Sequence, residues 1–199
     1  MSIPTTRAEV RSDEEISMVY WLQEAVEHGL VESWEYEPKE FCLVTGKNYD
    51  EHIQKKTKIK VVERHLHKPL LYTPDFRITL SELGISAFSK LFKHGILTAQ
   101  SLKEYGTIWI DVKGVFNPYQ GDDQLFKLKQ KVLFQEFGIW AQKVIPYDSK
   151  KKNVLFKQTF APDRLRWMKH GKGLNVVGRN CFGIKEYMDK LSNDKGLGL

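Results

Sequence analysis

The sequence predicts an α/β protein: a mixed central β-sheet flanked by helices. Three observations carry that prediction. Helical patterns alternate with apolar strand-like runs in the order helix, strands, strand, helix, strand. The chain has 199 residues, 41% of them hydrophobic, enough for one domain with a substantial core. No apolar run approaches membrane-spanning length, so those residues belong to a packed interior and no membrane partner is expected.

Residues 1–11 read as a polar leader without an apolar signal core. A helix follows over SDEEISMVYWLQEAVEHG. Ser12 is its N-cap, Glu15 completes a capping box, and Gly29 is the stop. The run LVESWEYEPKEFCLV is extended and rich in strand formers. A polar insertion, TGKNYDEHIQKKTK, comes next, near residues 45–58. Two strands are then expected, IKVVERHL and LLYTPDFRITL, joined by a His-Lys-Pro turn. A second insertion near 81–105 opens with a short helix over SELGISAFSKLFKHG.

TIWIDVKGVF is the clearest strand and ends at Gly114. In DDQLFKLKQKVLFQEFG, Leu125, Leu128 and Val132 recur at helical spacing, and Gly138 stops the helix. IWAQKVIPY supplies a further strand. The core is thus expected over residues 1–147, in the order α-β-β-β-α-β. A basic C-terminal extension with short helices occupies 148–199. The glycine-spaced GKGLNVVGRN lacks the strand-to-helix setting of a nucleotide loop and reads as turns.

Cys42 and Cys181 are far apart, which argues against a zinc site, an iron–sulfur cluster or a disulfide framework, and an intracellular, cytoplasmic setting is expected. Lys and Arg number 31 against 25 Asp and Glu, a net +6 that fits nucleic acid without requiring it. His65 and His67 alternate on a strand and read as hairpin surface rather than metal ligands.

Acids stand at three unexpected places. Pro74-Asp75 interrupts an apolar strand, where proline cannot donate to a ladder and a carboxylate is costly to bury. Asp111 and Lys113 follow Ile108, Trp109 and Ile110. Alternation puts both on one face of their strand, with Val112 opposite. Glu15 shares the core-side helix face with Val19, Leu22 and Val26, while Glu14 shares a similar face with Met18 and Trp21. Each alone could be a cap, a bend or a solvated pair.

Their order, helix acid, Pro-Asp, Asp-x-Lys, resembles the PD-(D/E)XK nuclease superfamily. TPDF and DVKG are similar to strand motifs of phage-type endonucleases and of nuclease subunits that cut transposon ends. The segment from Ser12 to Leu43 resembles the S-x-x-E…G…QP…L opening of the phage enzymes, with Glu37-Pro38 where they often carry Gln-Pro. The likeness runs from about Ser12 to Tyr147 and does not cover the tail.

It implies a restriction-endonuclease-like core and a metal-dependent DNA endonuclease, in phage-type DNA processing, recombination or junction cleavage. Glu15, Asp75, Asp111 and Lys113 would be catalytic. Asp75, Asp111, the Val112 carbonyl and Glu15 would hold Mg²⁺, with Mn²⁺ able to substitute. Lys113 would orient or deprotonate the attacking water. On the following helix, Lys127, Gln130 and Lys131 would contact DNA, and in the basic tail Arg164, Arg166 and Lys169. The insertion's QKKTKIK is a second basic patch. A homodimer, or a protein partner bound through the extension, is a further expectation. The alternatives are a nuclease subunit of a larger transposition or defence complex, and a non-catalytic DNA-binding protein on a nuclease fold.

Overall fold

The structure, a computed structural model, describes residues 9–93, 106–114, 121–148, 150–166 and 181–195. Helix α1 spans Asp13–Glu27. Ser12 caps it in an extended conformation, accepting the Glu15 N–H at 3.1 Å. Asp13, Glu14 and Glu15 place negative charge at the positive end of the helix dipole. Gly29 ends it with φ +69, in the left-handed region that favours glycine.

Four strands form the central sheet: β1 (Val31–Tyr36), β6 (Phe76–Leu80), β7 (Thr107–Val112) and β8 (Ala141–Val144), in that spatial order. The pairs β1–β6 and β6–β7 are antiparallel, whereas β7–β8 is parallel. A parallel pair needs a long crossover, and α3 (Gly121–Phe137) lies within it. The sheet is therefore mixed, and α1, β1, β6, β7, α3 and β8 run in the expected α-β-β-β-α-β order.

Two apolar clusters form. In one, Ile78, Ile108 and Ile110 pack with Ile16, Val19, Trp21 and Leu22 of α1. The other joins Phe41 and Leu43 of β2 (Phe41–Val44), Tyr72 of β5 (Leu70–Tyr72), Phe126 and Leu133 of α3, and Ala141, with Trp109 against it. Adjacent residues of β7 thus serve different clusters, as a period of two requires. The helix after β7 packs through Phe126 and Leu133, with Val132 of the expected stripe against them but not Leu125 or Leu128. Leu125 and Leu128 are 46% and 55% exposed. The α3 sequence carries two apolar stripes, and periodicity alone does not choose between them.

The expected hairpin across His-Lys-Pro is also corrected. Strand β4 (Ile59–His67) pairs antiparallel with β3 (Lys47–Gln54), from the segment read as a polar insertion, whereas β5 pairs with β2. The β3 sequence alternates too weakly to read as a half-buried strand, because nearly all of the β3–β4 ribbon lies in solvent.

Beyond Tyr147 the chain returns to the first cluster. Helix α4 (Leu155–Gln158) contributes Leu155 and Phe156. Phe160 stacks on Trp21 with centroids 5.2 Å apart, and the Trp21 indole N–H donates to Thr159 Oγ1 at 3.1 Å. Leu165 of α5 (Asp163–Arg166), and Ile184 and Tyr187 of α6 (Ile184–Lys195), complete the packing. Burying an aromatic of this size contributes about 2–3 kcal/mol, so the basic extension is part of the core's foundation. GKGLNVVGRN lies outside the described residues, as does most of the second insertion beyond α2 (Glu82–Phe88). Among the described residues, no helix is long and apolar enough to cross a membrane.

Candidate active site

Thr73, Pro74 and Asp75 form the break between β5 and β6. Pro74 is buried, and the strand resumes at Phe76. The Asp75 carbonyl accepts the Glu37 N–H at 2.8 Å, which ties the break to the end of β1. Its Oδ2 accepts the Val112 N–H at 2.6 Å. On the other side of β7, the Lys113 N–H donates to Val144 O of β8. Strand alternation then turns the Val112 N–H and carbonyl towards Asp75. The Pro-Asp step and the Asp-x-Lys step thus meet at one end of the sheet.

Asp111 is 2% exposed, and Lys113 Nζ stands 2.8 Å from its Oδ2, so the two share a face as alternation requires. The Lys113 ammonium and the Tyr72 hydroxyl both act on the Asp111 carboxylate, lowering its pKa against the effect of burial. The buried Tyr72 hydroxyl faces Asp111. Asp111 and Asp75 lie near enough to it to raise its pKa further, after burial has done so.

The electrostatics follow from crowding acids away from water. Burial, then the Asp111 charge, pushes Asp75 up to about 7, against Lys113 and the Val112 N–H. Asp111 is raised by burial, with Lys113 opposing. For Lys113, burial acts downward, but Asp111, Asp75 and Glu15 outweigh it and raise its pKa, so the ammonium stays charged. A buried Asp111 carboxylate, a second acid held up by its charge, and hard oxygen donors fit a divalent cation.

Glu15 stands apart from this pair. It is 6% exposed and its oxygens accept from Arg11 N–H at 3.0 Å, Ser12 Oγ at 2.9 Å and Tyr36 Oη at 2.6 Å. Burial and this acceptor raise the Tyr36 pKa. Its charge still reaches Asp75 and Lys113, yet with those oxygens occupied it braces α1 against β1. Glu14 reaches the chain just past β7 instead: its Oε1 lies 2.8 Å from where a Cβ on Gly114 would stand. Among the described residues, no group of three or more His, Cys, Asp or Glu is placed to hold a metal ion. Asp75 and Asp111 are the two acids that this end of the sheet brings together.

On α3, the residue that reaches this site is Lys129. Its Nζ lies 5.6 Å from the Tyr72 ring centroid, and its charge lowers the pKa of Asp111. It is not among the DNA contacts expected on this helix, although it lies three residues after Phe126 and four before Leu133, flanking the buried stripe. The Gln130 amide donates to Ala141 O at 2.6 Å and so holds α3 to β8. Lys127 pairs with Asp123, which also binds Lys143. Lys131 is exposed. In the tail, the Arg164 guanidinium lies 4.5 Å from the Tyr20 ring centroid. Arg166 closes α5, and Lys169 lies outside the described residues. His65 and His67 are exposed on β4.

Comparison with protein-family models, with curated proteins and with solved structures found no match to this chain.

Proposed function

We propose that the protein is a metal-dependent DNA endonuclease of the PD-(D/E)XK type, built on a restriction-endonuclease-like sheet. The observation that supports this best is the meeting of Asp75, Asp111 and Lys113 at the β6–β7 end, where the buried Asp111 carboxylate faces the Lys113 ammonium. The α-β-β-β-α-β order and the mixed sheet agree with it. Asp75, Asp111 and the Val112 carbonyl would hold Mg²⁺ or Mn²⁺, which when bound supplies Lewis acidity and an acidified water. Lys113, charged and beside Asp111, neutralises charge building on the phosphate. Lys129 faces the same place from α3 and holds a phosphate oxygen. In the reaction a water oxygen bonds to phosphorus as the P–O3′ bond breaks, and the leaving 3′-oxygen takes a proton. The products are 5′-phosphate and 3′-hydroxyl ends.

One observation favours a non-catalytic DNA-binding reading: Glu15 is closed in by three donors and adds no third ligand. A cleavage panel separates the two. Duplex, flap, single-stranded and four-way DNA are incubated with Mg²⁺ or Mn²⁺, using wild type and Asp111→Asn. Cleavage of at least one substrate, lost in Asp111→Asn while DNA binding persists, is expected. Binding without cleavage of any substrate under either metal rules out the nuclease reading.

A further inference from the structure

The β3–β4 ribbon is an arm. Its residues are exposed except for a half-buried Glu51, Ile53 and Val62. An isolated two-stranded ribbon is marginally stable in water, so the arm adds little to the fold. The arm interrupts the β2–β5 pair: the chain leaves β2 at Val44 and re-enters at Leu70, two residues before Tyr72. Its root is tightly packed, since a Cβ on Gly46 would stand 3.0 Å from Pro69 Cδ. The arm therefore springs from the strand that leads into Asp75.

Its charge is graded along its length. Nearer the root, two of the three acids are matched: Arg64 pairs with Glu51 at 2.8 Å, and Asn48 donates to Glu63 at 2.9 Å. Beyond Glu51 and before Glu63 there is no acid, and Lys55, Lys56, Lys58 and Lys60 crowd the tip, all exposed. An apolar protein partner would select an apolar tip, whereas a polyanion selects this one. A two-stranded ribbon also has the width that the DNA major groove admits.

We propose that the β3–β4 arm binds the duplex DNA presented to the Asp75–Asp111 site, its four tip lysines neutralising phosphates beside the cut. This rests on the nuclease reading of the site. Binding to a duplex is measured by fluorescence anisotropy over a salt series, without divalent metal, and cleavage is measured in parallel with Mg²⁺. The test variant replaces Lys55, Lys56, Lys58 and Lys60 with Gln. A control of equal charge replaces the exposed Lys90, Lys93, Lys185 and Lys190 with Gln.

The tip variant is expected to lose at least tenfold in affinity. Its log K against log salt slope should become shallower by up to about 0.9 per lysine lost, while the control changes little. Equal affinity and slope in tip variant and wild type, or an equal loss in the control, overturns the arm's role. With cleavage intact, that result leaves the nuclease reading standing. Tip-dependent binding without cleavage by any form supports the arm and removes the nuclease reading. Failure of wild type to bind duplex, whether or not it binds single strands, overturns the arm's role.

Discussion

Glu24 offers a sharp test of how the C-terminal segment is held. It sits on α1, half-buried, and its Oε1 accepts the Asp163 N–H at 2.7 Å from the start of α5. Its Oε2 is buried with no hydrogen-bond partner among the described residues. Burial, partly offset by the Asp163 N–H, pushes its pKa from 4.5 up to about 7, with the Asp163 charge adding to the rise. In the folded protein the neutral acid is therefore preferred. Below pH 4.5 the group is protonated in both states and exerts no penalty. As pH rises from 4.5 to about 7 the unfolded chain releases its proton first, and stability is lost. The gap corresponds to at most about 3 kcal/mol. Glu24 is only half-buried, so solvent screening reduces this to about 1 kcal/mol. Glu24→Gln keeps the Oε1 acceptor and removes the charge. Urea melts followed by circular dichroism should show the variant gaining about 1 kcal/mol on wild type between pH 4.5 and pH 8. A wild-type-to-variant difference that stays constant across that range would refute the reasoning.

Two further outcomes are expected. Lys129→Ala should lower the cleavage rate at least tenfold, with thermal stability unchanged within about 0.5 kcal/mol, whereas Lys131→Ala should leave both unchanged; equal effects of the two would remove Lys129 from the site. Gly84→Ala should destabilise the protein by more than about 2 kcal/mol, read by denaturant melts, because the new Cβ would lie 1.8 Å from the carbonyl oxygen of Leu30, just before β1; a neutral result would contradict the packing of α2 on that turn.

Much of the site was legible from local pattern. Alternation along Ile108 to Lys113 set Asp111 and Lys113 on one face, and the ion pair between them follows from that spacing alone. Pro74-Asp75 was legible as an interruption of an apolar strand, but that the chain divides there into β5 and β6, which join different sheets, was not. The Ser12 cap and the Gly29 stop bounded α1 because both act within a single helical turn.

Other features were not legible because they depend on partners distant in sequence. Nothing in KNYDEHIQ states that it pairs with IKVVERHL, since a ribbon exposed on both faces needs no one-sided apolar pattern. Lys129 rather than Gln130 or Lys131 acts on Asp111, through its charge, because Phe126 and Leu133, not Leu125 and Leu128, seat α3. Glu14 and Glu15 are adjacent in sequence, and only the positions of Tyr36 and Gly114 separate their roles. The sequence by itself determined which way each side chain faces within its own element, because strand and helix periods are properties of a few neighbouring residues. Tertiary structure alone decided which faces meet, including the return of the basic tail onto Trp21, because that choice is made by packing between segments far apart along the chain.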